Sequence, residues 1–224
     1  MATSISSCDI TLKILVVGDP CVGKSSLVWR MSENIFPTAE QANITLTNYV
    51  KSKAIQFGKK QILLKFHDTV GQERFRTISR TLYSNKDIII LTYDATSTVS
   101  FDHLNLWYQE VTKYSDKNTY IVLASTKSDL PGQVSVSQGQ QFAEQKGISF
   151  IETSSLNTSG VDDLLQTIVK GSGERLYTEE NWSKFKIKTN EPSTRGSSGT
   201  TTKSPTMSGT TNTESKKSSF CQIL

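Results

Sequence analysis

A lysine and a serine that follow a glycine-bounded turn can hold phosphate and its metal, and ILVVGDPCVGKSSLV at residues 14–28 offers that spacing. Gly18, Asp19, Pro20, Cys21, Val22, Gly23, Lys24 and Ser25 fit the pattern G-x-x-x-x-G-K-[ST], with an apolar run before it and a helix-like run over 24–31 after it, and Ser26 belongs to the same expected phosphate site. Successive backbone N–H groups in such a loop curl around an anion, and a helix starting near Lys24 adds free amides and its positive dipole end. Lys24 then reaches the terminal phosphates, while Ser25 puts a hydroxyl oxygen on Mg²⁺, a hard ion that takes oxygen ligands. Pro20 supplies no N–H and its fixed φ constrains the loop beside the terminal phosphate; Cys21 reads as loop filler. A second stretch, HDTVGQERFR at 67–76, has matching chemistry. Asp68 at a strand mouth can hold Mg²⁺ through a water, Gly71 can offer an N–H to a γ-phosphate, and Gln72 can orient a water.

These groups need a frame that places strand ends side by side. Short apolar runs alternate with longer amphipathic ones from Leu12 to about Tyr177, which predicts a layered α/β domain. Residues 12–18 read as a buried strand and 24–31 as a helix. Residues 44–57 and 61–68 read as a hairpin joined by Gly58-Lys59-Lys60. Core strands follow at 87–94 and 119–126, with a helix around 101–114 between them. A helix at 134–147 stopped by Gly147, a last strand at 148–154 and a last helix at 161–171 complete the pattern. The expected divisions are a flexible start at 1–9, a nucleotide-binding domain at 10–177, a flexible tail at 178–220 and a terminal signal at 221–224.

Bulk properties exclude several alternatives. The 224 residues carry a net charge of +4, too weak and dispersed for nucleic-acid binding. Three separated cysteines and two histidines frame neither a disulfide scaffold nor a metal cluster. No signal peptide opens the chain and no 18-residue apolar span crosses it, so the expectation is a cytosolic body. From Thr189 to Phe220, 17 of 32 residues are Ser or Thr, a composition that cannot repay its ordering entropy.

The strand–loop–helix start, DTVGQERF, TKSD at 126–129 and ETSSL at 152–156 stand in an order and spacing that resembles the Ras-superfamily small GTPases. DTVGQERFR, TISRTLYSNKDIIILTYD and the GKKQILLKFHD hairpin look closest to the Rab branch. The resemblance spans roughly residues 10–177. It implies a P-loop NTPase fold: a six-stranded, mostly parallel sheet with one antiparallel hairpin strand and helices on both faces. It implies GTP and GDP as bound nucleotides, Mg²⁺ as cofactor, and slow intrinsic hydrolysis with Gln72 and Lys24 as the catalytic pair. Val70 replaces the usual alanine before the glycine.

The same resemblance places base recognition on Thr126, Lys127 and Asp129. A fixed carboxylate can accept from guanine's N1–H and exocyclic amine but meets only an acceptor on adenine, and the Lys127 stem can stack on the ring. Thr126 stands where asparagine is usual, and its hydroxyl reaches less far than an amide. Ser154 and the Ser155 backbone fall where the base O6 is supported, with Leu156 replacing a frequent lysine. Both substitutions are Rho-like, although the short spacing from Asp129 to Ser154 leaves no room for the helix that Rho proteins insert. Counting back from Asp68 gives Thr45 as the Mg²⁺-binding threonine of switch I, with Thr38 and Thr47 as competitors. Three effector-reading aromatics of the Rab branch become Val50, His67 and Leu82, so the partner should be unusual. His67 reads as an interface or half-buried packing residue, His103 as a surface residue and Trp107 as helix packing. Trp182 and Phe185 either fold back on the domain or stay exposed.

Cys221-Gln-Ile-Leu224 matches a C-a-a-X signal whose terminal leucine favours geranylgeranyl on Cys221. One prenyl chain near Lys216 and Lys217 gives a substantial but reversible anchor. The expected molecule is a GTP-hydrolysing switch in vesicle traffic on the cytoplasmic face of a membrane, with a cytosolic pool. Its expected partners are an exchange factor, a GTPase-activating protein, effectors and a prenyl-binding chaperone. The alternatives are a nucleotide-holding membrane scaffold with little hydrolysis and a Rho-like signalling protein.

Overall fold

The structure is a computed structural model that describes residues 8–38, 41, 50–57, 60–68 and 80–173. The chain divides into two units, Met1–Lys188 and Thr189–Leu224, and the second lies outside the described residues. Six strands form one sheet in the order β2-β3-β1-β4-β5-β6. They are β1 (Ile10–Val17), β2 (Val50–Phe57), β3 (Lys60–Asp68), β4 (Ile88–Asp94), β5 (Tyr120–Thr126) and β6 (Ser149–Glu152). Only β2 and β3 run antiparallel, with Val50 beside His67 and Ile55 beside Ile62; every other pairing is parallel. The expected sheet is thus present, hairpin included, with Lys60 opening β3 rather than sitting in the turn.

The pattern of β1 explains the layering. Successive side chains of a strand point to opposite faces, and β1 buries both sets. Leu12, Ile14 and Val16 join one apolar cluster with Leu27, Val28 and Met31 of α1 (Lys24–Glu33) and Leu164 and Ile168 of α6 (Val161–Gly173). Leu15 and Val17 join the other, with Leu104 and Val111 of α4 (Leu104–Tyr114) and Phe142 and Ala143 of α5 (Val136–Lys146). Each fully buried aliphatic side chain contributes about 1.5–3 kcal/mol, and β4 buries all seven of its residues. The two-sided burial requires the continuous apolar runs seen in the sequence.

Several boundaries differ from expectation for local reasons. The helix expected at 101–114 is two helices, α3 (Thr98–Asp102) and α4, joined at His103. Ser97 starts the first by accepting a hydrogen bond from the Ser100 N–H, a cap the apolar pattern does not register. A short α2 (Arg80–Tyr83) ahead of β4 has no helical periodicity to announce it. The Ser135–Gln138 capping box begins α5 and left-handed Gly147 stops it, as expected. Helix α6 runs two residues further than the pattern predicts, and β6 is only four residues long.

Layering is unequal. Beyond β1, the second face of the sheet carries Val50, Ser52, Ala54 and Gln56 of β2, all exposed. No described helix covers them. Among the described residues no helix is long and apolar enough to cross a membrane.

Candidate functional site

The site forms where β1, β4 and β5 end together on one edge of the sheet. Val17 delivers the chain to Gly18, whose φ of +148 is open to glycine alone. A Cβ there would lie 2.3 Å from the Thr92 carbonyl oxygen, so β4 itself dictates the residue. Gly23 follows at φ +96 and caps α1 without any side-chain hydrogen bond. No acidic residue stands in the first turn of α1. The amides of Lys24 and Ser25 open the helix, and no carboxylate of its own first turn opposes its dipole.

Lys24 is only 4 % exposed. Its ammonium donates to the carbonyls of Gly18 at 3.1 Å and Asp19 at 2.6 Å. The loop thus curls around its own lysine and fixes the charge at the loop mouth. Asp19 turns its side chain away from this hollow. Trp107 Nε1 donates to Asp19 Oδ1 at 2.7 Å, and His103 Nδ1 lies 2.6 Å from Asp19 Oδ2. His103, expected as a plain surface residue, is instead a partner of the phosphate loop, and Trp107 does more than pack its helix. The α3–α4 break is what turns His103 toward Asp19. Cys21 is exposed, with φ 60, a conformation a non-glycine residue adopts at some cost.

At the neighbouring strand end, Thr126 is fully buried and its Oγ1 bonds the Val22 carbonyl of the loop. The same oxygen lies 3.0 Å from the Tyr93 carbonyl. The shorter side chain still spans to the loop, because β5 ends directly against Val22; what an amide would add is a second polar group for the base. Lys127 takes φ 59 and sends its ammonium to Asp94 Oδ2 at 2.7 Å. Asp94 Oδ1 in turn accepts from the Thr96 amide at 2.8 Å and hydroxyl at 2.7 Å. Ser154 Oγ donates to Asp129 Oδ1 and accepts the amides of Leu156 and Asn157, each at 3.2 Å. This holds one oxygen of Asp129 and leaves the carboxylate's remaining acceptor capacity for a ligand.

Two participants escape sequence reading. Asp94 looks like an ordinary strand end, yet it orients Lys127. Arg30 looks like a solvated helix position, yet its Nε donates to the Ser155 carbonyl at 2.6 Å and Nη2 to that of Leu156 at 3.2 Å. Its Nη1 donates to Asn34 at the end of α1. One guanidinium therefore ties the 152–156 turn to the helix that begins at the phosphate loop.

Of the remaining expected positions, Thr38 is exposed and exchanges hydrogen bonds with Gln41, and Leu156 is 57 % exposed. Asp68 closes β3 beside Val16 at the same sheet edge; its side chain lies outside the described residues. Thr45, Thr47, Val70, Gly71, Gln72, Trp182, Phe185 and Cys221 also lie outside them, as does the 178–220 tail. The donor set that remains fits a nucleoside phosphate with its metal. The crowded Gly18 backbone, the start of α1 and the buried Lys24 ammonium lie together at one end of the arrangement. The Asp129 carboxylate, bonded by Ser154 through one oxygen, lies at the other.

Comparison with known proteins bears on the family. The Ras family profile matches residues 13–173. The GTP-binding protein ypt2 of Schizosaccharomyces pombe is 36% identical over 180 residues, covering 80% of this chain and 89% of the relative. The Ras-related protein SEC4 of Candida albicans is 35% identical over 181 residues, covering 80% and 85%. The Ras-related protein Rab-1 of Theileria parva is 34% identical over 215 residues, covering 95% and 93%.

Proposed function

The chain belongs to the Ras family of small GTPases, in its Rab-like branch. From that membership we propose that residues 18–26 hold the phosphates of a guanine nucleotide while Thr126, Lys127, Asp129, Ser154, Ser155 and Leu156 hold its base. The protein is a GTP-binding, GTP-hydrolysing switch of membrane traffic that works with Mg²⁺. The assignment of residues rests chiefly on one observation: the Thr126 hydroxyl grips the Val22 carbonyl. Phosphate loop and purine turn are thereby one rigid unit, so binding at either end positions the other.

The roles of the side chains follow from their partners. Asp129 accepts from the guanine edge, its orientation set by Ser154. Lys127 lays its stem along the ring while Asp94 holds its charge. Arg30 keeps the Ser155 amide in place by bonding the adjoining carbonyls. Lys24 neutralises charge developing on the transferred phosphoryl oxygens, a stabilisation worth most in a site closed to water. Ser25, Thr45 and Asp68 are the Mg²⁺-side groups, and bound Mg²⁺ supplies Lewis-acid neutralisation of the phosphates. Gln72 orients the attacking water, and Gly71 and Thr45 sense the γ-phosphate so that hydrolysis releases both switch segments.

Exchange factors, GTPase-activating proteins and effectors act on this family. Geranylgeranyl on Cys221, extraction by a prenyl-binding chaperone and residence on the cytoplasmic face of a membrane complete the proposal. The decisive experiment is competition of GDP, GTP, ADP and ATP against a fluorescent guanine nucleotide on Mg²⁺-supplied full-length protein. The expected outcome is a guanine preference of several orders of magnitude; equal affinity for adenine nucleotides overturns the base assignment. Single-turnover hydrolysis should slow at least tenfold in Gln72→Leu, and an unchanged rate removes Gln72 from catalysis. Unaltered membrane association of Cys221→Ser in cells removes the lipid anchor.

A further inference from the structure

One side chain of the phosphate loop has the wrong sign for an anion site. Asp19 is the second residue of that loop, and a carboxylate beside phosphate weakens binding through like-charge repulsion. Its backbone belongs to the site, since the Asp19 carbonyl accepts the Lys24 ammonium at 2.6 Å. Its side chain goes instead to the α3–α4 junction, where it is 19 % exposed. Both carboxylate oxygens are taken there: Trp107 Nε1 donates to Oδ1 at 2.7 Å, and His103 Nδ1 stands 2.6 Å from Oδ2. An ionised carboxylate only accepts, so Nδ1 carries the hydrogen of that bond.

The helix that bears the two donors places them. His103 caps the start of α4 and Trp107 follows four residues later, a spacing that puts both on one side of the helix. Leu104 is fully buried in the second apolar cluster and Trp107 packs partly against it, so α4 is anchored where its donors meet Asp19. Bonds to two different oxygens fix the carboxylate in rotation as well as in position. Their lengths of 2.6 and 2.7 Å are as short as those of charge-assisted bonds, and the two N–H dipoles offset part of the negative charge.

We propose that His103 and Trp107 are positioning residues for nucleotide retention: together they latch the Asp19 carboxylate away from bound phosphate. Both act through Asp19 rather than on the nucleotide. Without them the carboxylate is free to swing along the loop toward the phosphates, and repulsion speeds release. The latch presupposes the proposed hold of residues 18–26 on phosphate. A latch differs from a plain structural tie in one respect. A tie is lost when any of its three members is removed, whereas a latch is needed only while there is a charge to restrain. Deleting the carboxylate therefore cancels the harm of deleting its donors.

The test is release of fluorescent GDP from the Mg²⁺-supplied full chain into excess unlabelled GDP, with urea melts of the same samples to show that each variant is folded. Release should be about tenfold faster in the double variant His103→Ala/Trp107→Phe, the effect of losing two hydrogen bonds to a charged group. Adding Asp19→Ala to that pair should bring release back to within about twofold of wild type, the non-additivity that marks action through one shared side chain. Should the double variant fold poorly, Trp107→Phe alone keeps a ring in the apolar cluster; it should speed release about fourfold and lose that effect when combined with Asp19→Ala. Unchanged release in the variants that lack the donors, or acceleration that persists once Asp19→Ala is added, overturns the proposal. The latch concerns phosphate, so a chain without guanine preference leaves it standing and shows the same pattern with fluorescent ADP. Normal GDP binding with none of these accelerations removes the latch and leaves the switch, while a chain that binds no nucleotide removes both.

Discussion

The proposed purine end of the molecule and the β3 face around His67 treat polar groups in opposite ways. At the proposed purine end three side chains already have protein partners: Thr126 on Val22, Lys127 on Asp94, Asp129 on Ser154. On the open face His67 Nε2 and Gln61 Oε1 have none, and three lysines crowd together. The first arrangement holds a shape before the ligand arrives, which lowers the ordering cost of binding. The second leaves like charges crowded around a buried imidazole with no ion pair among the described residues. Their consequences for mutation therefore differ in sign: removal of a side chain harms the first region and relaxes the second.

The largest effect tests the purine end. Asp129→Asn replaces an acceptor-only group with one that also donates, losing two charge-assisted hydrogen bonds of about 1.5–3 kcal/mol each. GDP affinity should fall at least about 100-fold in fluorescence competition, and a smaller loss means that the carboxylate does not read the base. Gly18→Ala puts a methyl group 2.3 Å from the Thr92 carbonyl oxygen. Stability should fall by about 2–4 kcal/mol in urea melts, the loop being unable to withdraw from β4. Thr126→Val keeps the shape and removes the hydroxyl, leaving the Val22 and Tyr93 carbonyls without it. A cost of about 1–2 kcal/mol is expected, with faster nucleotide release because loop and turn are no longer tied.

The open face should answer the other way. Lys65→Gln relieves repulsion with Lys13, so the protein should gain about 0.2–1 kcal/mol in urea melts. A loss of stability there would erase the contrast between the regions. The smallest signal is in the pH profile. The folded imidazole of His67 holds its proton less readily than the unfolded one, whose ordinary value is 6.5. Its contribution is fully present above about 6.5 and is lost as pH falls from there through the depressed folded value. His67→Gln should flatten that part of the stability curve measured by thermal melts.

Much of this was legible without coordinates. Continuous apolar strands such as 87–94 announce a sheet buried on both faces, and the fixed spacing of Gly18, Gly23, Lys24 and Ser25 announces an anion cradle. These signals are local, and local patterns survive in one dimension. The split of α3 from α4 was not legible, because a serine cap changes the helix start without altering the apolar period. Nor was the pairing of His103 and Trp107 with Asp19, since 84 and 88 positions separate them.

The sequence by itself determined the fold class and the family, since both depend on residue types at short fixed spacing. Tertiary structure alone decided that Asp94 aims Lys127, that Arg30 clamps the 152–156 turn, and that the charges of Lys13, Lys65 and Lys86 gather around His67. Such contacts depend on which strands lie side by side and which way their side chains point, and both are settled only when the sheet closes over its two cores.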